Sequence, residues 1–213
     1  MTGLILLRHG QTVGNVTKRW VGWGETGLTA RGKWEAQAVA RRLAGWGTPI
    51  GALYTSPLGR AVETATTIGR AVGLAPIEHL GLREINFGRV EGLTLAEFEA
   101  QFPALYAQWT DKRDMTMTWP GGECRADFFR RVARTADEIV AARPQETVIV
   151  VCHGGTLRAV LAHLLGGEYA DWWAYALDNC SLTHLTVGED GDARLITLND
   201  CAHLQEDVAK PVA

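Results

Sequence analysis

Two histidines stand in matching positions. Arg8-His9-Gly10 closes the apolar run Leu4 to Leu7, and His153-Gly154-Gly155 closes the apolar run Val148 to Val151. Each run has the length and flanking glycine of a short buried strand. A histidine at such a strand end is presented at the carboxyl edge of an α/β sheet, where these folds bind ligands. Imidazole can act as a nucleophile or base near neutral pH, and the planar guanidinium fork of Arg8 matches a phosphate edge. Arg60 supplies a second fork, just after Ser56-Pro57-Leu58-Gly59 at the start of a helical pattern. A cation there opposes the helix dipole, which a nearby anion would relieve. Glu84, in Leu82-Arg83-Glu84-Ile85, is a carboxylate in an apolar stretch. Two imidazoles, two guanidiniums and one carboxylate are what phosphoryl transfer needs: cations for the phosphate oxygens, an in-line nucleophile, and a proton for the leaving alcohol.

The elements that must position these groups follow from hydrophobic period and punctuation. Strands are predicted at Leu4–Leu7, Ala52–Thr55, Ile77–Leu80, Val148–Val151, Ser181–Val187 and Arg194–Leu198, the last two as a hairpin across an acidic turn. Thr29 caps a helix carrying Ala36, Val39, Ala40 and Leu43 on one face. Further helices are predicted at Ala61–Val72 with Gly73 as a stop, Leu93–Trp109 with Pro103 as a break or new start, Ala126–Ala142 and Leu157–Leu165. Strands alternating with helices imply a layered, largely parallel sheet.

The ordered set of motifs resembles the histidine phosphatase superfamily, the phosphoglycerate mutase-like enzymes. It consists of Arg8-His9-Gly10-Gln11-Thr12, Ser56-Pro57-Leu58-Gly59-Arg60, Arg83-Glu84, His153-Gly154-Gly155-Thr156 and the Asn199–Leu204 segment, in family order over nearly the whole chain. The resemblance implies a three-layer α/β/α sandwich with a mostly parallel mixed sheet, a single domain over residues 1–213, and a small helical cap at about 93–123. It assigns His9 as the nucleophile, forming a phosphohistidine that water hydrolyses. The residues alone do not decide between the two histidines. His153 then donates to a phosphate oxygen, Arg8 and Arg60 hold the phosphate, and Glu84 is the proton donor and base. The attacking nitrogen of His9 stays unprotonated only if the other donates to a carbonyl or carboxylate.

Secondary candidates surround this set. Asn15 sits where the family often places a phosphate-binding amide, Gly154 offers a backbone N–H at a helix start, and Thr12 caps a turn or contacts phosphate. Trp20 and Trp23, in a glycine-rich loop, either wall the substrate's organic part or pack the loop. Ser56 is read as shaping the turn before Arg60. Asn199, Asp200 and His203 are read as structural supports, and His79, His163 and His184 as ordinary structural histidines. Lys18, Arg19, Arg89, Lys112 and Arg113 are within reach of a second anion, with a solvated face as the default.

Trp119-Pro120-Gly121-Gly122-Glu123 resembles a segment common in the phosphatases of the family, with Cys124 in place of the usual serine. Val90 stands where tryptophan is frequent, and Thr26-Gly27 replaces a frequent Asp/Pro. The expected activity is metal-independent hydrolysis of small phosphate esters without a cofactor. Phosphoglycerate mutase is the alternative, and a non-catalytic phospholigand-binding module is a minor one. Neither Cys152-His153 nor Cys201-x-His203 has zinc-site spacing. The net charge of −3 argues against a general nucleic-acid surface. Four cysteines without CxxC spacing fit reduced thiols. No apolar run reaches the length of a membrane span and no secretory signal is evident, so a cytoplasmic location is expected. A homodimer is left open.

Overall fold

The computed structural model describes residues 1–167 and 169–205. Six strands form one sheet in the order β3-β2-β4-β1-β5-β6: β1 Thr2–Arg8, β2 Ile50–Thr55, β3 Ile77–Glu78, β4 Thr147–Cys152, β5 Leu182–Val187 and β6 Ala193–Asp200. The pairs β3/β2, β2/β4 and β4/β1 are parallel, and β1/β5 and β5/β6 are antiparallel. This is the mixed, mostly parallel sheet expected, with the predicted hairpin at its far edge.

Alternation along the central strands builds the layers. Leu4, Leu6, Val148 and Val150 face one core with Phe128, Val132, Leu157 and Leu161. Ile5, Leu7, Ile149 and Val151 face the other with Val39, Leu43, Ala65 and Ile68. The first set of helical residues lies on α6 (Arg125–Ala142) and α7 (Gly154–Leu164), the second on α2 (Ala30–Ala44) and α3 (Gly59–Val72). Helices therefore cover both faces, a three-layer α/β/α sandwich. Strands buried on both faces read as continuous apolar runs, which is why β1 and β4 stand out in the sequence.

Several boundaries differ from expectation for local reasons. The predicted strand at Ile77–Leu80 ends at Glu78, because His79 Nδ1 accepts the amide of Gly81 and opens a tight turn over Leu80–Leu82. The predicted helix Leu93–Trp109 is two helices, α4 (Leu95–Gln101) and α5 (Pro103–Thr110), with Pro103 at the first position of the second. Helix α7 starts at Gly154, three residues before its predicted start at Leu157. The four-residue helix α1 (Val13–Val16) is too short to show a period. From α4 to Trp119, Phe98, Tyr106, Trp109 and Trp119 join Trp20 and Phe87 in an aromatic cluster. Among the described residues no helix is long and apolar enough to cross a membrane.

Candidate active site

The carboxyl ends of three neighbouring parallel strands bring the chemistry together. Arg8 pairs with Cys152 and Thr55 with Val151, so β1, β4 and β2 end level with one another. The residues that follow are His9, His153 and Ser56. The His9 amide donates to the Cys152 carbonyl (2.9 Å) and the Ser56 amide to that of Val151 (3.0 Å), holding this row in place. The loop leaving β1 is pressed against α2. A Cβ on Gly10 would meet the Gly32 carbonyl oxygen at 2.4 Å, so only glycine permits that approach.

His9 is buried, and its Nδ1 lies 2.8 Å from the Gly10 carbonyl oxygen. A carbonyl only accepts, so Nδ1 carries the proton and Nε2 the lone pair. Arg60 Nε donates to that Nε2 at 3.3 Å. Burial first, then Arg60 and Arg8, hold the imidazole well below its ordinary pKa, so the ring is neutral. His153 is beside it, ring centroids 5.2 Å apart. Burial, then Arg60, His9 and Arg8, keep it neutral too.

Arg60 is 1% exposed. Its Nη1 donates to the Gly24 carbonyl and its Nη2 to those of Val21 and Gly22, so it closes the glycine-rich loop over the site. Glu91 clamps the same loop from behind, accepting the amides of Trp23 and Gly24 at 2.8 Å each. Arg8 donates from Nη1 to the Leu177 carbonyl at 2.8 Å, while its Nε is buried without a partner among the described residues. His153 Nδ1 is likewise buried and unpartnered.

Glu84 is buried on the opposite wall. Its Oε2 accepts the Gly155 amide at 2.8 Å, and its Oε1 accepts the Ile85 amide at 3.0 Å and the Thr156 hydroxyl at 3.4 Å. Glycine at 155 leaves room for this carboxylate, since a Cβ would lie 2.4 Å from Oε1 and displace it. The backbone behind Glu84 is braced by Arg131, which pairs with Glu123 at 2.8 Å and donates to the Gly81, Arg83 and Glu84 carbonyls.

A cavity of about 460 Å³ opens onto Arg8, His9, Arg60 and Glu84, whereas His153 stands beside His9 without lining the cavity. Arg8, His9, Arg60, Glu84, Asn15 and Thr12 form its polar end together with Gly154, and Trp20, Trp109, Trp119 and Trp172 line the remainder. Thr12 caps α1 in a reciprocal pair with Asn15. The Asn15 Oδ1 accepts the Thr12 amide and hydroxyl and the Asn179 amide, which leaves Nδ2 as the group it can offer to the cavity. Of the two loop tryptophans, Trp20 walls the cavity and Trp23 does not. Trp23 Nε1 is spent on the Glu84 carbonyl at 2.8 Å, and its ring carries the Arg83 guanidinium 3.7 Å from its centre. The substrate-contact reading for Trp23 is therefore corrected to a support beneath Glu84. Arg19 lines the cavity but is tied to Glu97 and the Gly92 carbonyl.

The C-terminal motif does not reach the cavity. Asp200 pairs with Arg42, which holds its carboxyl down at about 2, and His203 links Arg42 to the Cys180 carbonyl. Four functional neighbours escaped sequence reasoning: Glu91, Arg131, Asn179 and Arg158. Asn179 donates to the His9 carbonyl at 2.8 Å, and Arg158 lines the cavity from α7, four residues beyond Gly154. Glu91, Arg131 and Asn179 carry no local signal, since each acts on a segment distant in sequence, whereas Arg158 lies one helical turn beyond Gly154. Among the described residues no group of three or more His, Cys, Asp and Glu side chains is arranged to hold a metal ion.

Residues 4–201 match the model of the histidine phosphatase superfamily (branch 1). The chain is 36% identical over 203 residues to the bifunctional protein Rv2228c of Mycobacterium tuberculosis, covering 95% of this chain and 55% of that protein. It thus spans about half the length of the first curated relatives it matches. It is 34% identical to the glucosyl-3-phosphoglycerate phosphatase of the same organism, over 96% of this chain and 97% of the relative. The solved structure of Bacillus stearothermophilus YhfR superposes with a TM-score of 0.86 at 29% identity, covering 96% of this chain and 100% of that one.

Proposed function

The chain belongs to the histidine phosphatase superfamily, branch 1, and we propose that it is a metal-independent phosphomonoesterase acting on small phosphorylated metabolites through a phosphohistidine on His9. The supporting observation is the set of groups gathered around His9. A neutral imidazole with its lone pair on Nε2 stands among two buried nitrogens, Arg8 Nε and His153 Nδ1, that have no hydrogen-bond partner among the described residues. A buried donor such as Arg8 Nε is costly unless an anion meets it.

In the proposed reaction the substrate phosphate displaces the Arg60–His9 contact and meets Arg60 Nε and Arg8 Nε, guanidinium nitrogens not committed to carbonyls. Asn15 Nδ2 and the Gly154 amide add neutral donors, and Thr12 holds Asn15 in position. His9 Nε2 attacks phosphorus in line; the N–P bond forms as the P–O ester bond breaks. Glu84 gives its proton to the departing oxygen. It then takes a proton from water, which attacks the phosphohistidine and releases inorganic phosphate and free His9. The similarity to proteins named as phosphatases supports hydrolysis over transfer back to substrate.

The test is a panel of sugar, nucleotide and glycerate phosphates, assayed in chelator for inorganic phosphate. Phosphate release from several esters is expected. Conversion of 3-phosphoglycerate to 2-phosphoglycerate without phosphate release would instead mark a mutase. Saturable ester binding with no turnover would mark a binding module.

A further inference from the structure

We propose that Ser56 is a positioning residue that holds His153 in the tautomer with its proton on Nδ1, making His153 a neutral hydrogen-bond donor to the phosphoryl group. The inference rests on the function proposed above for its consequence, but not for its geometry.

Ser56 and His153 are 0% and 1% exposed. They follow β2 and β4, which are adjacent in the sheet and end level. Ser56 Oγ lies 2.7 Å from His153 Nε2 and accepts the Leu58 amide at 3.3 Å. The other ring nitrogen, Nδ1, is buried and has no partner among the described residues.

Proton accounting separates the two neutral forms. With the proton on Nε2, that nitrogen donates to Ser56 Oγ. The hydroxyl proton then has no acceptor, and Nδ1 is a bare lone pair, so two buried groups go unmet. With the proton on Nδ1, the hydroxyl donates to Nε2 while its oxygen still accepts from Leu58. Only the Nδ1–H is then unmet. An unmet buried polar group is costly, so the second form, with one fewer, is favoured. It is also the useful one. A lone pair turned towards a phosphate oxygen repels it, whereas an N–H attracts it. Adding a second proton to the ring is opposed by burial and by Arg60, His9 and Arg8.

The outcome is a division of labour between two like rings. His9, with its Nδ1–H fixed by the Gly10 carbonyl, presents a lone pair at Nε2. His153, with Nε2 occupied by Ser56, presents a proton at Nδ1. The turn-shaping role of Ser56 through the Leu58 amide coexists with this one, since the hydroxyl both accepts and donates.

Long-range proton–nitrogen NMR on protein carrying 15N-histidine reads the tautomer at neutral pH without turnover. The expected spectrum shows His153 protonated on Nδ1 and bare on Nε2, and inorganic phosphate shifts the Nδ1 proton. In Ser56→Ala the proton redistributes between the two nitrogens, kcat falls roughly ten- to a hundredfold, and the melting temperature changes little. His153 protonated on Nε2 in the wild type overturns the proposal whatever the variant does. So does a Ser56→Ala protein with wild-type tautomer and kcat, or an Nδ1 proton indifferent to phosphate. Absence of phosphatase activity with the expected tautomer would count against the proposed function and leave the assignment at Ser56 standing.

Discussion

Arg60 Nε donates to His9 Nε2 across 3.3 Å, while its two terminal nitrogens grip the carbonyls of Val21, Gly22 and Gly24. One guanidinium thus touches the proposed nucleophile and fastens the loop beside it. Arg60→Lys should fail at both tasks, because an ammonium cannot reproduce a planar fork. The expected result is a loss of about 3 kcal/mol in unfolding free energy, from carbonyls left unmet, and a fall of roughly a hundredfold or more in kcat/KM. Urea unfolding and steady-state kinetics measure the two. A lysine variant with wild-type stability and kinetics would contradict this dual role.

Glu84 is proposed as the proton donor to the leaving oxygen. A good leaving group needs little protonation, so Glu84→Gln should affect substrates unequally. For an alkyl phosphate kcat/KM should fall roughly 10²–10⁴-fold, and for p-nitrophenyl phosphate far less. Because kcat/KM reports the steps up to the phosphoenzyme, the comparison isolates this proton from the later activation of water. Equal losses on both esters would remove Glu84 from the donor role.

Gly155 leaves room for the Glu84 carboxylate, whose Oε1 would lie 2.4 Å from an added Cβ. Gly155→Ala should push the carboxylate from its amide and lower kcat by roughly a hundredfold, the scale of a small displacement at a reacting centre. The fold should survive, since alanine suits the first turn of α7. Circular dichroism with kinetics checks both halves, and unimpaired turnover would show that Glu84 works from another position.

His9 and His153 are neutral in the folded chain, held well below 6.5 by burial first and by neighbouring guanidiniums next. Once unfolded, both return to about 6.5. Below that pH the unfolded chain binds protons that the native chain refuses, so stability falls as pH drops through 6.5 and continues to fall towards the native pKa values. Above 6.5 the two residues make no pH-dependent contribution. The slope is at most about 1.4 kcal/mol per pH unit for each histidine. Urea unfolding at pH 7.5, 6.5 and 5.5 should show this decline, and His9→Gln should make it shallower. An unchanged slope in the variant would mean that His9 titrates normally in the folded state.

Much of this site was legible because its central groups sit where strands end. Arg8-His9 and His153 follow runs buried on both sheet faces, the strongest periodic signal available, and a strand end fixes a side chain's place to within a residue. Arg60 and Glu84 were found through motif order and the chemistry they complete. What stayed hidden depends on contacts across the sequence. Glu91 reaches back 68 residues to the amide of Trp23, and Asn179 reaches back 170 to the carbonyl of His9. No local pattern encodes either. Trp23 was open between wall and packing because a tryptophan in a glycine-rich loop serves both equally, and only the Glu84 carbonyl taking its Nε1–H decides. Gly154 and Gly155 hid the start of α7, since low helix propensity argues against a helix where tertiary contacts impose one.

The proposed reaction requires His9 Nε2 to become covalently phosphorylated. Rapid acid-free quenching of the enzyme with a 32P-labelled ester, followed by peptide mapping, tests it directly. An acid-labile, base-stable label is expected on the peptide containing His9, absent from His9→Ala, which should also lose turnover. Substantial turnover in His9→Ala, or a label on another residue, would contradict it.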